Sequence, residues 1–182
     1  MKLEYFHDEL RIPGLEGDEA SNQAIKDSVN DLITTYETEF LKLLLGYDSD
    51  NSIYETYVAG VAAGTAQWVA LQSQIYNETT WKSPAAHYVF YKWLDENASQ
   101  LTSLGELSGG SDTALKVPLG RRMVRVWNRM VDMVNDVYDW IEDDDGKNFH
   151  AYDFNFEREY CYMTNHNGKQ VHPFEHINSF GI

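Results

Sequence analysis

The sequence predicts a mainly α-helical protein: a bundle of about four to five helices with an extended N-terminal arm and a C-terminal β-hairpin or extended arm. Three observations predict it. Residues 21–46 and 118–141 repeat apolar side chains at steps of three and four, the spacing of one helix face. Ser83-Pro84 opens a third stretch of the same kind, since Ser caps a helix and Pro is tolerated at its first position. After Gly146 the composition turns to Tyr, Phe and His, with the alternation Tyr152, Phe154, Phe156 that suits strands. The implied organisation is an arm over residues 1–20, a helical domain over 21–146 and a second arm over 147–182.

Taken in order, MKLEYF is read as a short strand or a tether, and Pro13, Gly14 and Gly17 punctuate the loop after it. From Ser21, the residues Ala24, Ile25, Val29, Leu32, Ile33, Tyr36, Phe40, Leu43 and Leu44 form a helical stripe, with Gly46 where a left-handed cap belongs. The β-branched patch Ile33-Thr34-Thr35 predicts a bend or break, so either one long helix or two short ones. Asp50 or Ser52 caps a helix through Ile53, Tyr57 and Val61, whose apolar face continues through Trp68, Leu71 and Ile75 to about Tyr76. Gly60 and Gly64 within it either loosen the segment or admit another chain segment closely.

The helix after Ser83 places Tyr88, Phe90, Tyr91 and Trp93 within six positions, more aromatic surface than one core stripe needs. Tyr88 and Tyr91 are therefore candidates for packing between helices or between subunits, and His87 reads as a structural histidine with satisfied nitrogens. Residues 98–117 are a glycine-containing loop of unusual length, expected to order on contact with a partner; Gly109-Gly110 lacks the Lys-Ser/Thr of a phosphate loop. In the C-terminal arm, Asn167-Gly168 signals a hairpin turn, and the ending from Phe174 through Phe180 to Ile182 is too apolar for a free tail.

The helix over 118–141 is the widest in its apolar face and the strangest in its charges. Met123, Trp127, Met130, Val134, Val137 and Ile141 make the stripe. Arg121, Arg122, Arg125 and Arg129 crowd its N-terminal half, whereas Asp132, Asp136 and Asp139 occupy the C-terminal half. That polarity opposes the helix dipole, at roughly 0.3–1 kcal/mol for each exposed end charge. One reading makes these solvated faces with a few intrahelical pairs; the other makes the helix a bipolar strut that meets opposite charge on a neighbouring copy, as head-to-tail contacts around a ring require.

Composition bounds the function. At 182 residues the chain is long enough for one domain with a real core, and 29 acidic against 14 basic side chains give a formal charge of −15. That balance argues against gripping nucleic acid through its phosphates. No apolar run reaches a membrane span, MKLEYFHDEL lacks the regions of a signal peptide, and a lone Cys161 favours a reducing, cytoplasmic setting. Cys161 itself reads as a small hydrophobe. His150, His166, His172 and His176 with Asp153, Glu157, Glu159 and Glu175 are residue types that bind zinc, manganese or iron, yet no HExxH-like spacing fixes two ligands on one face. A small metal-dependent enzyme built on that cluster is the alternative of another class. No nucleophile elbow or dinucleotide fingerprint occurs, so neither catalytic residues nor cofactors are expected.

The motifs DLITTYETEFLKLLLGYD, PAAHYVFYKWL, LGEL and RRMVRVWNRMV, in that order over roughly Leu32 to Val131, resemble the helical head-to-tail connector proteins of tailed bacteriophages, of the crAss-like or other Bacteroides-phage type. The resemblance implies a non-enzymatic virion subunit, commonly in twelve copies. Such subunits form a ring beneath the portal protein and extend the channel through which genomic DNA passes, unbound, toward tail or further ring proteins. It implies a location in the virion neck, preceded by the host cytoplasm during assembly. Another neck or tail-completion (stopper) protein is the nearest alternative. On this reading Arg121, Arg122, Arg125, Arg129, Asp132, Asp136, Asp139, Tyr88, Tyr91, Phe174, Phe180 and Ile182 meet other subunits, and residues 1–12 and 147–182 make much of their contact with other chains.

Overall fold

A computed structural model describes residues 1–16, 20–46, 53–97, 119–142, 163–164, 170–171 and 173–178. Among the described residues there are five α-helices: α1 (Ala20–Leu45), α2 (Ile53–Ala62), α3 (Ala66–Ile75), α4 (Pro84–Glu96) and α5 (Leu119–Glu142). The mainly helical class is as the periodicity predicts. Strands β1 (Met163–Thr164) and β2 (Gln170–Val171) pair antiparallel, Met163 opposite Val171. The Asn167-Gly168 turn, the 98–117 loop and Cys161 lie outside the described residues.

Helix α1 runs unbroken for 26 residues. Of the two readings open at Ile33-Thr34-Thr35, the single long helix is the one seen; it accommodates the Thr34 and Thr35 hydroxyls, which donate to the carbonyls one turn back, of Asn30 at 2.9 Å and Asp31 at 3.0 Å. Gly46 ends the helix at φ 76°, the left-handed cap read from the sequence. The following apolar stretch, expected as one helix to Tyr76, is two. Gly64 turns the chain at φ 69°, and Thr65 donates from its backbone to the Gly60 carbonyl at 2.9 Å. α3 then folds against α2, with the Trp68 ring edge-on to Tyr57 at 6.1 Å. A Cβ on Gly60 would lie 2.0 Å from Trp68 Cδ1, so this glycine makes room for the indole.

The helix surrounded on most sides is α4, not α5. Ser83 caps it by accepting from the Ala86 amide at 3.3 Å, with Pro84 in the first turn. Two apolar clusters meet on it. Ala85 and Tyr88 join Phe40, Leu44 and Leu45 of α1, Leu71 and Ile75 of α3, and Met130, Val134, Val137 and Tyr138 of α5. Ala86, Val89, Phe90 and Leu94 join Val29 and Ile33 of α1, Val126 of α5 and the N-terminal segment. α5 instead keeps one wet face, and its Tyr138 hydroxyl reaches across to the Leu44 carbonyl at 2.9 Å. Its seven buried apolar residues, from Val126 to Ile141, all lie on the opposite side.

Residues 1–16 differ from the extended strand or tether read from MKLEYF. They form two 3-10 turns, Leu3–Tyr5 and Asp8–Leu10, and bury Tyr5, Phe6, Leu10, Ile12 and Leu15 against their own chain. Tyr5 meets Trp81 at 5.3 Å and Tyr76 at 6.3 Å, both edge-on. Among the described residues, no helix is long and apolar enough to cross a membrane.

Candidate functional site: the outer face of helix α5

Helix geometry puts Arg121, Arg125, Arg129, Asp132, Asp136 and Asp139 within an arc of about 80°, so the charges form a single stripe that changes sign midway. All six are exposed. The stripe is about 27 Å long. Among the described residues, the ion pairs of the stripe run to other segments of the chain. Near its centre, Arg129 Nε lies 3.4 Å from Glu9 Oε1 of the N-terminal segment, and Asp132 accepts from His176 Nε2 of the C-terminal segment at 2.9 Å. Among the described residues Arg121, Asp136 and Asp139 have no such partner. Both chain ends thus reach the same helix, from the same molecule.

The N-terminal contact is buried and polar at its centre. His87, 3% exposed, places Nδ1 2.9 Å from the Ser83 carbonyl and Nε2 3.1 Å from Glu9 Oε1. Both ring nitrogens therefore have an oxygen partner within hydrogen-bonding distance. The histidine is structural, as its place in the aromatic helix suggested. The His87 hydrogen bond, and beside it the charges of His87, Arg129 and Arg125, hold the Glu9 carboxyl below its ordinary range against the opposing effect of burial. Arg122, half-buried over the Phe90 ring at 4.8 Å, donates to the Glu9 and Arg11 carbonyls at 3.1 and 3.4 Å. Burial, and secondarily Arg125, pulls its guanidinium below the usual arginine value.

The C-terminal contact works through backbone atoms. Phe174 is buried between Phe40 at 5.4 Å, Tyr88 at 6.5 Å and Trp127 at 6.5 Å. The Trp127 indole donates to the Glu175 carbonyl at 2.7 Å. Asn128 pairs with Ile177 in both directions, donating to its carbonyl at 2.9 Å and accepting from its amide at 2.8 Å. Tyr88 is a core residue whose hydroxyl donates to Glu39 at 2.6 Å, and Tyr91 is half-buried beside Trp127 at 5.0 Å. Of the residues expected at interfaces, Arg122, Arg129, Asp132, Tyr88 and Phe174 therefore serve contacts within their own chain. Arg121, Arg125, Asp136 and Asp139 remain outward. Phe180 and Ile182 lie outside the described residues.

Other polar groups act as locks. Glu37 accepts from the Met1 amino group at 2.9 Å and from Tyr76 at 2.6 Å, and Tyr36 donates to Glu96 at 2.6 Å. Burial first and the neighbouring carboxylates second push Tyr76 and Tyr88 well above the ordinary phenol value. These phenols stay protonated and donate; they do not supply a base. A cleft of about 730 Å³ opens beside Glu37, Tyr5 and Gln72, and a smaller one of about 390 Å³ beside Arg129, Asp132 and Asp136. Among the described residues no group of three or more His, Cys, Asp or Glu is placed to hold a metal ion. Of the C-terminal metal-ligand types, only Glu175 and His176 are described, and both are exposed.

No family model, no curated protein and no solved structure matches the chain. The sequence did not single out Glu9, and it offered the Trp127-Asn128 pair only as part of the connector resemblance, not as the holder of the C-terminal segment. Trp127 reads as one more stripe residue, and Glu9 meets a histidine 78 positions away. No local signal marks either.

Proposed function

We propose that this protein is a structural subunit of a phage head-to-tail connector ring, lying below the portal protein and extending the DNA channel toward the tail. The observation that carries the reading is the exposed stripe of α5, positive through Arg121 and Arg125 and negative through Asp136 and Asp139. The stripe offers two different patches of opposite sign, so the positive half of one copy can face the negative half of the next while its own negative half faces a third copy. Such heterologous contacts close into a ring when their rotation permits. The helix holds this polarity against its own dipole, a penalty that an opposing charge on a neighbour offsets. The formal charge of −15 suits a lumen past which DNA moves without being held.

Mass measurement of the full chain, alone and mixed with portal rings, tests the proposal. The expected result is a discrete ring on at least the portal template. Reversing Arg121 and Arg125 to Glu in one preparation abolishes it. Mixing does not restore it, but reversing Asp136 and Asp139 to Arg in the same chain does. A chain that stays monomeric under every one of these conditions overturns the reading.

A further inference from the structure

We infer that the groove on α5 that holds Pro173–Asn178 is a peptide-recognition site addressed to the same segment of a second copy, so that neighbouring subunits exchange C-terminal arms. The inference rests on the ring reading above. It is carried by how the segment is held. It has no regular secondary structure, and its described contacts fall on one strip of surface. A single aromatic anchor, Phe174, enters a pocket of Phe40, Tyr88 and Trp127. Backbone groups provide most of the rest: Trp127 takes the Glu175 carbonyl, and Asn128 takes both the amide and the carbonyl of Ile177. An anchor pocket plus side chains that read an extended backbone is how proteins bind linear peptides. Nothing in these contacts depends on the segment belonging to the same chain.

The connection leaves the choice open. The groove lies ten to fifteen residues before Glu142, about 15–22 Å back along the helix. Residues 143–172 join Glu142 to Pro173; with β1 and β2 paired, 143–162 and 172 set the reach, up to roughly 70 Å. A neighbour's α5 packed at a distance of about 10 Å is well within reach. Loop closure changes slowly with length, so the linker does little to favour its own groove over an adjacent one. In a ring, each exchanged arm then fastens one subunit to the next.

The experiment uses full chains carrying Cys161→Ser. One copy bears Asp132→Cys with Phe174→Ala, leaving its groove unfilled by its own arm. A size-tagged copy bears His176→Cys with Asn128→Ala, weakening its own groove. The Asp132–His176 pair is exposed, with side chains 64% and 54% accessible, so replacing it removes little of the docking energy and leaves both thiols open to a short bismaleimide. The expected product is a linked heterodimer, reduced roughly tenfold or more when Phe174→Ala is added to the tagged copy. A chain carrying both Asp132→Cys and His176→Cys reports docking within one molecule. If that chain links internally while the mixed copies give no heterodimer above the Phe174→Ala control, the exchange is overturned. Mass measured on the same samples separates the two ideas: rings without heterodimer sink the exchange alone, whereas monomers without heterodimer sink it together with the ring.

Discussion

The two ends of this chain dock on the same helix by different physics. The first sixteen residues put Tyr5, Phe6, Leu10, Ile12 and Leu15 into a core shared with α1 and α4, and add the Glu9 ion pairs at the edge. Residues 173–178 insert Phe174 and otherwise depend on hydrogen bonds between their own backbone and the Trp127 and Asn128 side chains, with the exposed His176–Asp132 pair beside them. Five buried apolar side chains make the N-terminal segment part of the fold. One anchor with a polar clamp makes the C-terminal segment a ligand that happens to be tethered. Apolar burial accumulates with each side chain, whereas each hydrogen bond exchanged with water nets only about 0.5–1.5 kcal/mol.

The sharpest way to break that comparison is to remove one phenyl ring from each end. Phe6 and Phe174 are equally buried, at 3% exposure. Phe6→Ala is expected to lower global stability by about 3–5 kcal/mol, since the surrounding core cannot retreat. Phe174→Ala lowers it by only about 1–2 kcal/mol, because the short segment lets go locally and the rest stays folded. Urea melts give both values, and hydrogen exchange gives the mechanism: the Ile177 amide, bonded to Asn128, loses protection in Phe174→Ala while the helices keep theirs. Equal losses for the two variants would erase the distinction.

A smaller effect separates the ends by pH. The folded state holds Glu9 below its ordinary carboxylate value of 4.5 through the hydrogen bond from His87 and the charges of His87, Arg129 and Arg125. A carboxyl so depressed adds stability that is present above the ordinary value and lost as the pH falls through the folded one. Amides of residues 5–10 are therefore expected to lose protection on acidification before those of α4 do. Glu9→Gln removes most of this acid dependence. An unchanged acid profile in that variant would leave the Glu9 contacts without an energetic role.

The smallest expected effect tests the claim that Tyr5 contributes to the N-terminal docking through its ring and not through its hydroxyl. Tyr5 is 2% exposed and its hydroxyl has no hydrogen-bond partner among the described residues. Burial first, then Glu78 and Glu37, pushes its phenol up to about 12. Tyr5→Phe removes a desolvated hydroxyl and keeps the ring against Trp81, so thermal melts are expected to show no loss, or a gain of up to about 1 kcal/mol. A clear destabilisation would mean that the hydroxyl contributes to the docking after all.

Much of the architecture was legible beforehand because its causes are local. The Ser83 cap, the Gly46 stop and the apolar stripe of α5 each depend on residues within a turn or two of one another. The reversal of charge along α5 is likewise written in the order of its residues. Where local reading failed, a longer-range contact or a backbone detail had intervened. The β-branched patch at Thr34 and Thr35 left one helix or two open, and only the packed structure shows one. Gly60 reads as looseness or as room for another backbone until the Trp68 side chain is found against it.

By itself, the order of residues determined that the chain is helical, where most of its helices begin and end, and that one of them carries a stripe of opposed charge. Tertiary structure alone decided that α4 rather than α5 is enclosed, that Arg122 and Arg129 turn inward to residues 9 and 11, and that the Trp127-Asn128 pair receives the C-terminal segment. The reason is separation along the chain. Helical periodicity couples neighbours three and four apart, whereas Glu9 finds His87 across 78 residues and Trp127 finds Glu175 across 48, contacts that exist only once the bundle has brought them together.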